Sequence, residues 1–337
     1  MATSIYPLSK VQMGIESAKG NSVAATRVIV GDGMLVEHRD RYHANYPRGV
    51  RATVGGAGVL TKQWCEVNID TELSAEQVLW PLLTGIKGAV SASAANNADT
   101  YTFTPQLTTG IPTLDTATVE FLQSDGSTNH YYGESAYCMT ESFKIDSSPD
   151  QIAKLSWKMF GRARQTDTPT AALTPYTSLE PLPGALCFVY LDTTWAGLGG
   201  TQLASIVRSL SFECTTGIMP DWTMDGRSDL DFVKHSVGSL GAKLGLTLEF
   251  DATGASRYAN YRANDLVYIR LKFTGGTVGD ADVKTVQIDG AYRFAADPTF
   301  SNDNGQVLMA CQLEAVYDST GTKILEFTVI NGLAAVA

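Results

Sequence analysis

Hydrophobic and polar residues alternate along several short segments of the chain, which is the pattern of half-buried β-strands. The clearest segment, residues 243–251, has Leu or Phe at every even position and Gly, polar or charged residues at the odd ones. A polar segment of helical length, residues 253–264, follows it, and residues 266–273 return to alternation. These patterns predict a strand, a short helix and a second strand.

The first half of the chain has a stretch with the same plan. Residues 64–70 alternate like a strand, and the Ser-Ala-Glu-Gln sequence at residues 74–77 is a capping box that predicts the start of a helix. Apolar residues at positions 78, 79, 82 and 83 would form the buried stripe of that helix. Pro81 should kink or shorten it.

Each half also ends with a predicted hairpin. Alternating segments at 141–146 and 153–159 flank a Ser-Ser-Pro-Asp turn, and alternating segments at 286–294 and 307–315 flank Asp297-Pro298. The shared order of elements predicts two copies of one β-domain, although few residues are identical between the halves.

We therefore predict a mainly β protein of two tandem β-sandwich or barrel-like domains, each with a short helix, plus long loops and an N-terminal arm. Residues 1–25 are polar and aperiodic and form the predicted arm. The first domain covers residues 26–165 and the second covers 184–337. The Thr- and Pro-rich segment between them, residues 166–183, is a predicted linker.

Two long predicted loops, residues 31–58 and 217–241, occupy equivalent places in the halves but differ in charge. Opposite charges favour a contact between neighbouring copies of the chain. The candidate assembly residues are Arg39, Arg41, Arg48 and Arg51 in the first loop and Asp221, Asp225, Asp229 and Asp231 in the second.

The composition favours an assembly subunit. The formal net charge of −10 argues against a protein that holds nucleic acid by neutralising phosphates. Charged residues make up 18% of the chain, against about 25% in typical soluble domains, so much of the surface is expected to lie in contacts between chains.

Five cysteines, far apart and without a Cys-x-x-Cys pair, indicate reduced core residues. No apolar stretch reaches the about 18 residues of a membrane helix, so we expect no membrane anchoring and folding in the cytosol.

Metal, cofactor and enzymatic sites are poorly supported by the sequence. His38, Asp40 and His43 lack the spacing of a zinc site, and the acidic second loop lacks the alternation of a calcium loop. The Gly-Asp-Gly at residues 31–33 has Val36 where a dinucleotide fingerprint has glycine, and residues 55–58 lack the lysine of a phosphate loop. We expect no metal, no cofactor and no enzymatic activity.

The chain resembles the major tail tube proteins of long-tailed, siphovirus-type bacteriophages, of the type in which the tube domain is duplicated. Two sets of segments carry the resemblance: residues 137–146 leading to 155–162, and residues 207–214 leading to 225–227. Both are patterns of strand, turn and long loop, and in this order they cover nearly the whole chain.

The resemblance implies a virion protein, made in the host cytoplasm, that polymerises into the hollow tail tube through which the genome passes during ejection. Inner sheets would join between subunits into a continuous barrel, and trimers with pseudo-sixfold symmetry would replace the hexamers of single-domain relatives. The implied partners are other copies of the chain, the tape measure protein, and the tail terminator and distal tail proteins. DNA would pass through the lumen without specific binding.

Two other functions stay open from the sequence. One is another virion or injection-device subunit, such as a tube or decoration protein. The other is a β-sandwich carbohydrate-active enzyme, whose paired carboxylates the sequence does not identify.

Overall fold

A computed structural model of the chain describes residues 8–43, 58–95, 97–108, 110–125, 127 and 129–336. These residues form nineteen β-strands and two α-helices. The strands of the first half are β1 (Lys10–Ile15), β2 (Arg27–Ile29), β3 (Asp32–Tyr42), β4 (Val59–Glu72), β5 (Ser93–Ala95), β6 (Ala98–Phe103), β7 (Ala117–Ser124), β8 (Asn129–Ser147) and β9 (Lys154–Gly161). Those of the second half are β10 (Cys187–Asp192), β11 (Val207–Thr215), β12 (Ile218–Asp221), β13 (Lys234–Val237), β14 (Gly241–Glu249), β15 (Val267–Val278), β16 (Asp282–Phe294), β17 (Thr299–Asp303), β18 (Gln306–Ala315) and β19 (Leu325–Asn331). The helices are α1 (Leu79–Gly85) and α2 (Ala252–Ala263).

The mainly β fold predicted from the alternating segments is confirmed. Every strand pair between the described residues is antiparallel, and the sheets do not close into a barrel within one chain. The predicted strand at 64–70 lies within β4, and those at 243–251 and 266–273 overlap β14 and β15 except for residues 250–251 and 266.

Eight strands from both halves of the chain lie side by side in one sheet. Their order is β3-β4-β9-β8-β11-β14-β18-β17. The two halves meet where β8 pairs with β11, from Ser147 opposite Leu210 to Ser142 opposite Thr215. Main-chain hydrogen bonds therefore run from one half into the other, and we call this row of strands the continuous sheet.

A second layer covers the continuous sheet. Over the first half it consists of β2, β1, β7 and the beginning of β8. Over the second half it consists of β10, β15, β16 and β19, followed by β6 and β5 of the first half, so the pairing of β19 with β6 also joins the halves. The apolar core between the layers is one cluster of residues from both halves. At its centre the rings of Phe143, Phe212 and Phe327 lie 5.8–6.1 Å apart. The core is therefore shared by the halves.

The halves have the same order of strand pairs. The pairs β3·β4, β4·β9, β9·β8, β8·β7 and β7·β1 correspond to β11·β14, β14·β18, β18·β16, β16·β15 and β15·β10. Each half places its helix directly after the second strand of this series, since α1 follows β4 and α2 follows β14.

Hydrogen bonds before each helix align the halves residue by residue. The hydroxyl of Ser74 accepts from the amide of Gln77, and the carboxylate of Asp251 accepts from the amide of Gly254. Immediately before them, Leu73 N donates to Ala153 O and Phe250 N donates to Val307 O. Ser74 therefore corresponds to Asp251, and Glu72 at the end of β4 corresponds to Glu249 at the end of β14.

The sequence predicted the bounds of α2 but not the start of α1. The helix α1 was expected to start at the capping box, but residues 75–78 form a turn and the helix starts at Leu79, with all its residues buried. Pro81 lies in the first turn, where its missing amide hydrogen is not needed. The second prediction is confirmed: α2 starts after Asp251 and ends at Asn264, whose φ of 54° is left-handed.

Residues 8–25 of the predicted N-terminal arm belong to the folded unit. β1 lies between β2 and β7, and Val11 and Met13 on it are buried. The carboxylate of Glu16, also buried, accepts hydrogen bonds from the hydroxyl of Thr116 and the amide of Tyr137. Val11, Met13 and Ile15 alternate with Lys10, Gln12 and Gly14, so a strand signal was present, but it spans only six residues of an otherwise polar segment.

Both predicted long loops contain strands. Residues 32–42 of the first are β3, paired with β4 from Asp32 opposite Asp70 to Tyr42 opposite Val59. The second folds largely into the β12–β13 hairpin. Many residues of these strands are exposed, so they lack the apolar alternation that marks a half-buried strand.

Residues 166–183, the predicted linker, have little regular structure but are anchored. The hydroxyl of Tyr176 accepts from the indole of Trp80 at 3.1 Å and donates to the carbonyl of Val336 at 2.9 Å. One buried side chain of this segment therefore connects α1 to the end of the chain, and the domain boundary placed here stays a prediction.

A buried ion pair also connects the halves. Glu76 is fully buried, and the ammonium group of Lys284, on β16, lies 2.8 Å from its carboxylate. Among the described residues no donor meets that carboxylate with good hydrogen-bond geometry, so the charge of Lys284 is its main compensation. Lys284 also contacts the carbonyl of Ser178 and lies 3.5 Å from Glu180, both in the predicted linker.

Removing Lys284 should strongly destabilise the fold. We expect Lys284→Met to lower the free energy of unfolding by about 3 kcal/mol, because the carboxylate of Glu76 would remain buried without a cation. The matched control is Lys234→Met, which breaks the exposed pair with Asp221 and should cost about 0–1 kcal/mol. Urea denaturation of both variants measures the difference, and equal losses would contradict it.

Adding Glu76→Gln to Lys284→Met should recover part of the lost stability. The double variant has no buried charge at this position, whereas Lys284→Met alone keeps one. A double variant as unstable as Lys284→Met would show that packing, not the unpaired charge, causes the loss.

Candidate functional site

The face of the continuous sheet that points away from the core is polar. Strand alternation places on it every second residue of β4, β9, β8, β11, β14 and β18. Seven acidic side chains lie on this face against five basic ones. The acids are Glu66, Asp70, Glu72, Asp146, Glu213, Glu249 and Glu314, and the bases are Lys62, Lys144, Lys154, Lys158 and Lys243.

The junction between β8 and β11 shows how two edges of this sheet join. On the core side Ile145 lies opposite Phe212, and neither side chain is exposed. On the polar side Lys144 lies opposite Glu213, so unlike charges face each other across the junction. Apolar burial and main-chain pairing together hold the two halves in register.

The two outer strands of the continuous sheet have one free edge each. In the described ranges β3 pairs only with β4, and β17 pairs only with β18. All residues of β17 are exposed, including Phe300 at 49%. An unpaired strand edge presents amide and carbonyl groups to another strand, so each end of the sheet can accept a partner.

Two of the four predicted arginines lie on β3. Arg39, on β3, donates to the carboxylate of Glu37 at 2.8 Å, and Arg41 donates to the carbonyl of Gly58 at 3.4 Å. Arg48 and Arg51 lie outside the described residues. Arg39 and Arg41 are thus exposed near the end of a two-stranded arm and not on a long loop.

The predicted aspartates lie in and around the β12–β13 hairpin. Asp221 pairs with Lys234 at 3.6 Å, and the carboxylate of Asp225 accepts from the amide of Arg227. Asp229 pairs with Arg227, and Asp231 is buried.

The last two aspartates have opposite pKa shifts. The hydrogen bond from Arg227 lowers the pKa of Asp229. Burial raises the pKa of Asp231, although its carboxylate accepts a hydrogen bond from the amide of Ala163 at 2.9 Å. Asp231 therefore positions the hairpin on the first half of the same chain.

The β3–β4 hairpin and the segment that contains β12 and β13 meet within one chain, through contacts of β4 residues. The rings of Trp64 and Trp222 meet edge to face at 5.8 Å, and the ammonium group of Lys62 lies 4.7 Å from the first ring and 4.9 Å from the second. The amide of Gln63 donates to the carbonyl of Leu230. The predicted pairing of the charges between neighbouring copies stays a prediction.

The cysteines and His38, which could in principle take part in redox or metal chemistry, pack against other side chains or lie buried. The five cysteines are free thiols, four of them buried, and burial raises the pKa of Cys65 to about 12. The His38 ring stacks on Trp64 at 4.7 Å. Among the residues the structure describes, no group of three or more His, Cys, Asp or Glu is placed to hold a metal ion. In the same residues no helix is long and apolar enough to cross a membrane.

Sequence reasoning missed the β8·β11 junction and the strand β17 at the end of the continuous sheet. The second closing hairpin was expected to turn at Asp297-Pro298, but β17 and β18 turn at Asn304-Gly305. Both turn residues have positive φ, 51° and 89°, which an Asn-Gly pair adopts readily in a two-residue hairpin. That dipeptide was the available signal.

Comparison with known proteins identifies the family. No curated protein matches the chain. The model of a family described as phage tail tube protein matches residues 9–315, which include both strands of the junction and both outer strands of the continuous sheet. Members of this family are structural proteins without enzymatic activity, and they assemble with copies of themselves into the tube of a phage tail. The chain belongs to the phage tail tube protein family.

Proposed function

We propose that the chain is a duplicated tube subunit, three copies of which form a ring with pseudo-sixfold symmetry in a siphovirus-type tail. The β8·β11 junction carries this proposal, because it joins the two halves edge to edge and leaves a free edge at each end of the continuous sheet. The matching order of strand pairs in the halves supports a duplication. A ring of three chains would then alternate junctions within chains with junctions between chains.

The polar face of the continuous sheet would line the lumen of this ring. If the sheets of neighbouring copies join at their edges, one face of the resulting barrel points inward, and the opposite face packs on each chain's own core. Acidic groups outnumber basic ones on the polar face, which disfavours a tight grip on phosphates. Genomic DNA would pass along such a surface during ejection without specific binding.

The other partners follow from the place of a tube in a tail. The ends of the tube would contact the tail terminator and distal tail proteins, and the lumen would hold the tape measure protein before ejection. Synthesis in the host cytoplasm precedes incorporation into the virion. The carbohydrate-active enzyme considered from the sequence is not supported, because the family is structural.

The purified protein should form hollow tubes, visible by negative-stain imaging. A cysteine placed on the polar face, Glu213→Cys, should react with a bulky polymer maleimide in the free subunit but far more slowly in tubes, because the lumen excludes the polymer. The matched control is Asp280→Cys, in the turn between β15 and β16, which should react at similar rates in both states. The native protein sets the background of its own cysteines.

A protein that stays monomeric under all conditions would contradict the proposed function. Tubes in which the cysteine at position 213 reacts as fast as in the free subunit would contradict the placement of the lumen alone.

We propose further that the exposed charges of the two hairpins, Arg39, Arg41, Asp225 and Asp229, guide the order of assembly. Arg48 and Arg51 would act with them. Each exposed pair contributes only about 0–1 kcal/mol, so these charges would affect rates more than the stability of the tube.

Charge reversal tests this role. We expect Arg39→Glu with Arg41→Glu to slow tube growth, and Asp225→Lys with Asp229→Lys to do the same. Combining the four changes should restore part of the rate, and the differences should shrink at high salt, where charges are screened. Light scattering follows growth. Rates that neither recover in the combined variant nor depend on salt would show that these residues do not meet.

A further inference from the structure

The corresponding helices of the two halves differ in burial. All residues of α1 are buried, and the second half supplies part of the cover: the Thr216 methyl lies close to Gly85, and Asn331 donates to the carbonyl of Ala75. In α2 only Gly254 is buried. The second half of the chain therefore lacks the cover that it gives to the first half.

An aromatic cluster is exposed beside α2. Phe300, on β17, packs against Phe250 at 5.0 Å and against Tyr258 of α2 at 5.8 Å. Tyr261 of the same helix packs against Phe294 at 5.7 Å. The cluster ends at the free edge of β17, so an added strand would cover Phe300 first.

The alignment of the halves identifies the counterpart of Phe300. Because Glu72 corresponds to Glu249, Leu155 on β9 corresponds to Met309 on β18, through their partners on β4 and β14. Ile145 lies opposite Leu155, and Phe300 lies opposite Met309. Ile145 is therefore the counterpart of Phe300, and it is completely buried because β11 pairs beside it.

The same alignment identifies the counterpart of β11. Phe212 lies opposite Leu244 on β14, and Leu35 lies opposite Val67 on β4. Since Leu244 and Val67 are corresponding residues, Leu35 on β3 is the counterpart of Phe212. The strand that would complete the second half is thus β3, whose outer edge is free in the described part of the chain.

We propose that β17 of one copy pairs antiparallel with β3 of the next copy, with Leu35 opposite Phe300. This inference rests on the proposed ring and specifies its contact between chains. The template is the β8·β11 junction, in which Phe212 lies opposite Ile145 and Ser211 opposite Asp146. The transferred register also places Met34 opposite Ser301.

The partner of this surface is a second copy because the chain already contains the same contact between its halves. The paired segment is shorter than its template, since Pro298 occupies the position of Phe143 and has no amide hydrogen to donate. At the other end the template stops at Leu210, the counterpart of Gly33, so Asp32 and Asp303 lie beyond the paired segment. The contact between copies therefore depends strongly on the apolar side chain at position 300.

A cysteine pair tests the register. In tubes of Met34→Cys with Ser301→Cys, mild oxidation should link chains, giving covalent dimers and trimers on non-reducing gels, because directly opposite residues of antiparallel strands lie within disulfide distance. The matched control is Met34→Cys with Thr299→Cys, shifted by two residues along the same face, which should link much less. Ser211→Cys with Asp146→Cys is the positive control within one chain.

The outcomes separate this register from the proposed function. Tubes that form without links between positions 34 and 301, or that link equally in the shifted control, overturn the register and leave the proposed function standing. Failure of the unaltered protein to form rings or tubes overturns both.

Phe300→Ala tests the same contact without cysteines. The free subunit should keep the melting temperature of the unaltered protein within a few degrees, while the minimum concentration for tube growth should rise about tenfold or more, as for a buried aromatic anchor of an interface. Tyr317→Ala is the matched control, since Tyr317 is 45% exposed and lines a cavity with Gly85 and Thr216. A normal minimum concentration for Phe300→Ala, or an equal rise in the control, would contradict the proposal.

Discussion

The antiparallel pairing of β8 with β11 is the contact on which the rest of the structure depends. Because it joins the edge of one half to the edge of the other, the two halves share one sheet and one apolar core. It also explains the unequal burial of the helices. The first half is followed by the second half, which covers α1, whereas no further half follows the second to cover α2. The same pairing leaves β3 and β17 at opposite ends of the sheet with unpaired outer edges in the described ranges.

Besides the β8·β11 and β19·β6 pairings, side-chain contacts also support the join between the halves. Glu76 and Lys284 form a buried ion pair across it, and Tyr176 hydrogen-bonds to both Trp80 and the carbonyl of Val336. Buried polar groups are costly unless each has its partner, so these contacts favour one relative position of the halves over others. A subunit that adds edge to edge needs such a fixed position, because a small rotation at the internal join would misalign both outer edges.

The sequence predicted the elements whose signals are local. The strand β14 alternates cleanly because one face is buried, and α2 is bounded by Asp251 and Asn264, which suit the two ends of a helix. By contrast, β3 has many exposed residues and carries charge, so its pairing with β4 could not be inferred from alternation. The β8·β11 junction joins residues far apart in the chain, and nothing in either strand alone specifies the other. The predicted contact residues were likewise chosen by charge, and Asp231 proved to be buried.

Exposed charges of the two hairpins are already paired within the chain, whereas the outer edge of β17 is unpaired in the described part of the chain and available to another copy. Arg39 already pairs with Glu37, and Arg227 with Asp229, so a contact between copies that uses these groups must compete with pairs inside each chain. The outer edge of β17 has no such competitor among the described residues, and the exposed ring of Phe300 beside it gains burial only when another chain is added. Backbone pairing and apolar burial therefore favour addition of a subunit more than the exposed charges do. The polar face has more acidic than basic side chains, and this balance would disfavour tight binding of phosphates in the proposed lumen.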